Sequence, residues 1–179
     1  MRVGLIIGHK ASSQGASSSE GRARLTEYQL NEELAHAIAK QFDSVPDITP
    51  VVIYRNTYSE LPNDVNQLGV DFAISLHCNA FNTEASGTEV LYYHSSERGK
   101  ELAEILQACL VGVLALPDRG IKPKHSEDRG GYLLRETNMP CVIAEPFFID
   151  NQIDLIAAGV RYEQLVQAYT TAILTFAGS

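Results

Sequence analysis

The sequence predicts a single α/β domain, in which a twisted, mostly parallel sheet of about six strands carries helices on both faces. Six apolar runs of strand length recur along the 179 residues, and amphipathic segments of helix length stand between several of them. Several of the runs are continuously apolar, which is typical of strands that are covered on both faces. Strands that alternate with helices indicate βαβ units and a parallel sheet.

The individual elements follow from local patterns of apolar residues. Strands are expected at residues 3–7, 49–54, 72–76, 88–93, 132–134 and 141–144. Long helices are expected at residues 25–42, 97–114 and 162–176, because each segment repeats apolar side chains at steps of three or four residues. Shorter helices are expected near residues 61–68 and 151–157. Residues 12–21 are rich in Ser, Gly and Ala, and this composition predicts a loop after the first strand.

The composition disfavours several classes of protein. Hydrophobic residues make up 45% of the chain and charged residues 20%, as in an ordinary globular domain. The formal net charge of −8 disfavours binding to nucleic acid or to an anionic membrane surface. No apolar run is long enough to cross a bilayer, and from the first residues we expect no signal peptide. We therefore expect a protein made in the cytoplasm, with no stable membrane insertion.

Three ionisable residues each stand at or just past the end of a predicted buried strand. His9 follows V-G-L-I-I-G, His77 follows F-A-I-S-L and Glu145 follows C-V-I-A. The carboxyl ends of parallel strands lie along one edge of a sheet, and open α/β folds place their ligands at that edge. One such residue alone is more often a hydrogen-bonded loop residue or a helix cap. The three together predict a metal site or an acid–base site.

A metal site at this edge needs a carboxylate beside the two imidazoles. Two histidines and one carboxylate form a three-ligand zinc set with an open position, which is the pattern of catalytic zinc. Glu145 is one candidate for the carboxylate. Glu27, which lies in the first turn of the first predicted helix, is the other, and these considerations leave the choice open. The spacings match no zinc finger, zinc ribbon or H-E-x-x-H arrangement.

Seven short motifs appear along the chain in a recognisable order. They are G-H at 8–9, E-Y with Asn31 at 27–28, S-L-H-C-N-A at 75–80, G-T-E-V at 87–90, R-G-I-K at 119–122, L-R-E-T-N-M-P at 134–140, and A-E at 144–145 with F-I-D-N at 148–151. Together they resemble the zinc-dependent N-acetylmuramoyl-L-alanine amidases of the amidase_3 type, which are found in bacterial cell-wall hydrolases and phage endolysins. The resemblance runs over nearly the whole chain.

The resemblance implies a role for each of the candidate site residues. It implies one Zn²⁺ per chain, with His9, Glu27 and His77 as its ligands and Glu145 as the catalytic residue. It thereby makes Glu27, rather than Glu145, the carboxylate ligand. It also implies that residues 1–179 form a single catalytic amidase domain, with no separate cell-wall-binding domain.

The reaction implied by the resemblance is hydrolysis of the amide bond between N-acetylmuramic acid and L-alanine in peptidoglycan. Zinc would polarise the carbonyl and lower the pKa of a bound water toward about 7. Glu145 is expected to take a proton from that water and pass it to the leaving nitrogen. Asn79 and Arg135 are expected to bind substrate in the cleft. The alternatives are that Asn79 caps a turn and that Arg135 pairs with an acidic surface residue.

Other functions remain open at this point. A zinc carboxypeptidase-like peptidase acting on wall stem peptides would use the same residue types, with Arg135 or Arg119 as a clamp for the substrate carboxylate. A non-catalytic peptidoglycan-binding domain would keep the fold without the chemistry, and an α/β domain without metal is the third alternative. For the amidase, we expect a phage or prophage lysin that is made in the cytoplasm and reaches the cell wall after release through a holin-type pore.

Overall fold

The computed structural model describes residues 1–19 and 24–179, and this part of the chain contains six strands and six helices. The strands are β1 (Arg2–Ile7), β2 (Thr49–Ile53), β3 (Phe72–Leu76), β4 (Thr88–Tyr93), β5 (Asp118–Lys124) and β6 (Cys141–Glu145). The helices are α1 (Glu27–Lys40), α2 (Leu61–Gln67), α3 (Glu97–Leu114), α4 (Gly131–Glu136), α5 (Gln152–Val160) and α6 (Tyr162–Ala177). Of the loop predicted at residues 12–21, residues 12–19 form turns and isolated bridges, and residues 20 and 21 lie outside the described residues.

These strands form one sheet, in the order β2-β1-β3-β6-β4-β5. Strands β2, β1, β3 and β6 run parallel to one another, whereas β4 runs antiparallel to β6 and β5 runs parallel to β4. The prediction of a mostly parallel sheet is therefore confirmed. The carboxyl ends of β1, β3 and β6 lie side by side at one edge. The start of β4 lies at the same edge, because Glu89 pairs with Glu145.

Helices cover both faces of the sheet, as predicted. On one face, strand residues such as Leu5 and Ile74 share a buried cluster with residues of α1, α3 and α6. On the other face, the alternate residues, such as Ile6 and Ile143, share a second cluster with residues of α2 and α4. Burial of each such side chain contributes about 1.5–3 kcal/mol relative to exposure. The two cores therefore hold the strands, and with them the edge where their carboxyl ends meet.

The long helices lie close to their predicted positions. The prediction for residues 97–114 is confirmed to the residue, and α6 ends one residue beyond its predicted end. Helix α1 begins two residues later than predicted because Thr26 is its N-cap. The Thr26 hydroxyl accepts a hydrogen bond from the Gln29 backbone N–H, and the Gln29 side chain accepts one from the Thr26 N–H. Among the described helices, none has the length and apolar character needed to cross a membrane.

The prediction of a strand at residues 132–134 is wrong, because these residues lie in α4. The N–H of Leu134 donates to the carbonyl of Gly130, and the N–H of Thr137 donates to that of Leu133, as in a helical turn. An apolar run of three residues is too short to show whether its period is that of a strand or of a helix. The packing of these residues beside α2 on the sheet accompanies the helical conformation.

Strand β5 was not predicted. Its sequence, D-R-G-I-K-P-K, is polar, and it forms the outer edge of the described sheet, where it pairs with β4. An edge strand is solvated along one side, so it lacks the apolar run by which the buried strands are recognised.

Candidate active site

The two predicted histidines follow the neighbouring strands β1 and β3 and lie next to each other. Backbone hydrogen bonds continue past the strand ends, because the N–H of Gly8 donates to the carbonyl of Leu76 at 2.9 Å. The ring centroids of His9 and His77 are consequently 5.3 Å apart. The φ angle of His9 is 67°, in the left-handed region that residues other than glycine seldom adopt. Backbone strain of this kind is concentrated at functional sites.

Glu27 is the first residue of α1 and places its carboxylate between the two histidines. The side chain is 1% exposed. Its Oε1 lies 2.7 Å from Nδ1 of His77, and its Oε2 lies 3.0 Å from Nε2 of His9. The backbone N–H groups of Cys78 and Ala16 also donate to the two oxygens, at 3.1 and 3.2 Å. Burial alone would raise the pKa of Glu27, but its contacts with His77 and His9 outweigh burial and hold the pKa far below its usual value.

His9, Glu27 and His77 form a group that can hold a metal ion, here called the His–Glu–His cluster. One ligand atom from each residue lies within 4.8 Å of the other two. The Nε2 atom of His9 is buried and, among the described residues, has no hydrogen-bond partner in spite of its closeness to Glu27. A buried polar atom of this kind needs a partner, and a cation bound between the three side chains would supply one.

Glu145 is the last residue of β6, beside the strand that carries His77. One of its oxygens, Oε2, is buried and has no hydrogen-bond partner among the described residues. Burial is the main cause that raises the pKa of Glu145 well above its usual value, and the negative charge of Glu27 adds to it. Glu145 is therefore a carboxyl group with an unengaged oxygen near the His–Glu–His cluster, and in the metal-free protein its environment favours the protonated form.

A cleft of about 490 Å³ lies over this edge of the sheet. Its walls come from the strand ends, from the loop after β2 and from the segment around the start of α4. Residues that line it with polar groups include His9, Arg55, Tyr58, His77, Asn79, Glu89, Lys124, Asp128, Arg129, Tyr132 and Glu145. The cleft thus contains the two histidines and Glu145, with the buried Glu27 behind them.

The two residues expected to bind substrate have different positions. Asn79 lines the cleft, where its Nδ2 donates to Oε1 of Glu89 at 2.8 Å. Arg135 is not brought to the cleft. It is exposed on α4, and its Nε donates to Oε1 of Glu136 at 2.6 Å. This is the surface pairing that the sequence left open for Arg135, and its placement does not support a role in substrate binding.

The sequence did not single out Glu89 and Arg55, which also line the cleft. Glu89 stands at the start of β4, and it accepts hydrogen bonds from both Asn79 and Nε of Arg119. Its motif, G-T-E-V, was visible in the sequence without an assigned role. Arg55 follows β2 much as His9 follows β1, so the rule that located the histidines could have located Arg55 as well.

Comparison with known proteins gives the family of the chain. The family model described as N-acetylmuramoyl-L-alanine amidase, Amidase_3, matches residues 3–175. The probable cell wall amidase LytH of Staphylococcus aureus is 30% identical over 151 residues, which are 82% of this chain and 47% of that protein. The matches to the first curated relatives cover less than half of the length of each of them.

Solved structures are similar over the whole described fold. The crystal structure of an N-acetylmuramoyl-L-alanine amidase from Clostridium difficile 630 has a TM-score of 0.88 at 25% identity, covering 99% of this chain and 97% of that one. The catalytic domain of the CD27L endolysin targeting Clostridia difficile has a TM-score of 0.79 at 29% identity, covering 98% and 97%. The family match includes the His–Glu–His cluster and Glu145. The chain belongs to the N-acetylmuramoyl-L-alanine amidase family Amidase_3.

Proposed function

We propose that this protein hydrolyses the amide bond between N-acetylmuramic acid and L-alanine in peptidoglycan, with one zinc ion held by His9, Glu27 and His77. The observation that carries the proposal is the convergence of these three side chains beside a cleft that also contains Glu145. Membership of the amidase family supports the same reaction.

The donor atoms of the His–Glu–His cluster suit zinc. Two imidazole nitrogens and one carboxylate oxygen, with a position left for water or substrate, are a common set in catalytic zinc sites. The backbone N–H groups of Cys78 and Ala16 hold the Glu27 carboxylate in place, as hydrogen bonds to metal ligands commonly do. Bound zinc would polarise the scissile carbonyl and make a water molecule more acidic.

Glu145 supplies the proton transfers in the proposed reaction. Amide hydrolysis requires a proton to leave the attacking water and a proton to reach the departing nitrogen. The Glu145 carboxyl group lines the cleft and has an oxygen that is not engaged by any described residue. The positive charge of bound zinc would favour the ionised form of Glu145, which would then accept the first proton and donate it to the nitrogen. General acid–base catalysis of this kind contributes roughly 10²–10⁴-fold to a rate.

The carboxypeptidase-like alternative receives no support from the two arginines considered for it. Nε of Arg119 donates to Oε2 of Glu89 at 2.8 Å, and its guanidinium lies over the ring of Phe148. Arg135 lies outside the cleft. The amidase reaction requires neither residue as a clamp.

The proposal includes the biological setting of a phage or prophage lysin, in which residues 1–179 act as one catalytic unit. The likeness to an endolysin catalytic domain supports this setting. Release through a holin-type pore would bring the protein from the cytoplasm to the wall. Expression in a bacterial host should therefore cause lysis when a holin is co-expressed and not without it. Lysis that is independent of the pore would contradict this part of the proposal.

The central test combines zinc content with hydrolysis of purified sacculi. We expect one zinc per chain and release of stem peptides with a new N-terminal L-alanine. Glu145→Ala should retain zinc and lose nearly all turnover, and His77→Ala should lose both zinc and turnover. Glu104→Ala, at an exposed position of α3, is the matched control and should behave like the wild type.

Three outcomes would contradict the proposal. Near-wild-type hydrolysis by Glu145→Ala would show that Glu145 is not the proton carrier. New termini other than L-alanine would indicate a peptidase. Sedimentation with sacculi that releases no peptide at all would indicate a domain that binds the wall without cleaving it.

A further inference from the structure

We infer that Arg55 forms an anion-binding subsite beside the His–Glu–His cluster, and that its ligand is a free carboxylate on the stem peptide of the substrate. The inference rests on the proposed amidase function. It adds a preference for a muramoyl peptide in which the residue after L-alanine carries a carboxylate instead of a carboxamide.

Arg55 is held close to the cluster by its place in the sheet. Strand β2 is the neighbour of β1, and the last paired residues are Ile53 and Ile6. Arg55 lies two residues beyond Ile53, and Gly8, the residue before His9, lies two residues beyond Ile6. The side chain of Lys10 donates to the carbonyl of Asn56 at 3.0 Å and ties the two loops together. Arg55 therefore lines the cleft on the side of His9.

Contacts on the other side hold the loop of Arg55 against α4. The Tyr132 hydroxyl donates to the carbonyl of Ser59 at 2.9 Å, and the rings of Tyr58 and Tyr132 lie 5.8 Å apart. The Arg55 guanidinium carbon lies 5.8 Å from the centre of the Tyr58 ring. The guanidinium is thus part of an ordered wall of the cleft.

Arg55 is half-buried, and its guanidinium has no anion beside it among the described residues. Its Nε is buried and has no hydrogen-bond partner among the described residues. None of the ion pairs found in that part of the chain includes Arg55. A buried cationic donor without an acceptor is costly, whereas a guanidinium is well shaped to bind a carboxylate through two parallel hydrogen bonds.

The acidic residues of the cleft do not supply this anion. Glu89 accepts hydrogen bonds from Asn79 and Arg119, and Asp128 accepts one from the backbone N–H of His125. The cleft also contains the cations Lys124 and Arg129, although the chain as a whole has a net charge of −8. Together with Arg55 they balance the acidic Glu89, Asp128 and Glu145, so an anionic ligand would meet no net negative charge in the cleft.

The position of Arg55 selects the part of the substrate that it would bind. Neighbouring strands lie about 4.8 Å apart, and one extended peptide residue spans about 3.3–3.6 Å. The Arg55 guanidinium lies one strand away from His9. It is therefore within reach of the stem-peptide residue that follows the L-alanine of the scissile amide. A carboxylate on that residue would accept hydrogen bonds from Arg55 and a carboxamide would accept weaker ones.

The test uses two soluble muramoyl peptides and the intact zinc-loaded protein. The peptides differ only in their second residue, which is D-glutamate with a free α-carboxylate or D-isoglutamine with the carboxamide. We expect wild-type kcat/KM to be roughly tenfold to a hundredfold higher for the carboxylate, the range of a charge-assisted hydrogen bond. Arg55→Gln should abolish this preference, and Arg55→Lys should keep part of it because the charge remains.

Zinc content and thermal stability are measured for every variant, and Arg98→Gln, on the opposite face of the sheet, is the control that should keep the wild-type preference. Equal wild-type rates on the two peptides would overturn the inference and leave the proposed function intact. The same holds if Arg55→Gln slows both peptides equally or loses zinc, which would indicate a structural role. A wild-type protein that cleaves neither peptide, or that removes only C-terminal residues, would overturn the proposed function and the inference with it.

Discussion

At the scale of single residues, Glu27 combines a structural contact with a proposed ligand role. Its two buried oxygens meet the rings of His9 and His77 and accept backbone hydrogen bonds from Ala16 and Cys78. The partners of the carboxylate among the described residues are all donors or potential donors. The carboxylate of Glu27 therefore contributes to the stability of the fold and is also a proposed metal ligand. Both contributions depend on its negative charge.

Glu27→Gln should separate these contributions. The amide would place an NH₂ group against a backbone N–H or a histidine ring, so one buried donor would lose its acceptor. We expect the free energy of unfolding of the metal-free protein to fall by about 1–3 kcal/mol, measured by urea denaturation in the presence of a chelator. Zinc binding should also be lost. Unchanged metal-free stability would mean that the carboxylate has no structural role.

Glu145 should destabilise the metal-free fold at neutral pH. Burial raises the pKa of Glu145 in the folded state. The folded protein therefore binds a proton at Glu145 more tightly than the unfolded chain does. Stability is then lost as pH rises above the ordinary carboxyl value of about 4.3. Glu145→Gln removes the charge, so in chelator it should have a higher melting temperature than the wild type at pH 8, and the difference should vanish below about pH 4. A constant difference across this pH range would show that titration of Glu145 is not its cause.

At the scale of elements, the loop between β1 and α1 lies tightly against the His–Glu–His cluster. Gly15 in this loop has a φ of 76°, and a Cβ atom at this position would lie 2.6 Å from Oε2 of Glu27 and 2.6 Å from Cδ2 of His9. The absence of a side chain at Gly15 therefore allows the loop to approach both residues.

Gly15→Ala should weaken zinc binding by displacing the ligands. Gly69→Ala is the matched control, because Gly69 also has a positive φ, 59°, and a Cβ there would meet no atom within 4 Å. Both variants carry backbone strain, but only the first should lower zinc affinity and sacculus hydrolysis, measured by competition with a chelator and by peptide release. An equal loss of zinc affinity in the two variants would show that strain, and not the contact, is responsible.

At the scale of the whole molecule, the proposed zinc site joins parts of the chain that are distant in sequence. His9 follows β1, Glu27 begins α1 and His77 follows β3. A metal bound by all three stabilises the folded state alone, because the unfolded chain does not hold its ligands together. Removal of zinc should therefore lower the stability of the entire fold.

We expect a chelator to lower the melting temperature and added zinc to restore it. At a free zinc concentration 100 times the Kd, the stabilisation should be about 2.7 kcal/mol. Differential scanning calorimetry measures the change, and His77→Ala should show no response to zinc. A melting temperature that is the same with and without zinc in the wild type would contradict binding to the folded protein at this site.

The sequence by itself determined the buried strands, the long helices and the position of the residues that the structure brings together. Continuous apolar runs and three- and four-residue periods are local properties, so they can be recognised without knowledge of the fold. His9 and His77 were found because the carboxyl ends of neighbouring parallel strands meet at one edge, and the family resemblance distinguished Glu27 from Glu145.

Only the tertiary structure decided the features that depend on neighbours distant in sequence. The polar strand β5 exists because β4 offers it a hydrogen-bonding edge, and residues 132–134 are helical because of where α4 packs on the sheet. Arg135 and Arg55 are both arginines near apolar segments, but one finds a glutamate beside it at the surface and the other is left in the cleft without an anion. A pattern of residue types records what each side chain can bind, and the packing of the folded chain decides what it meets.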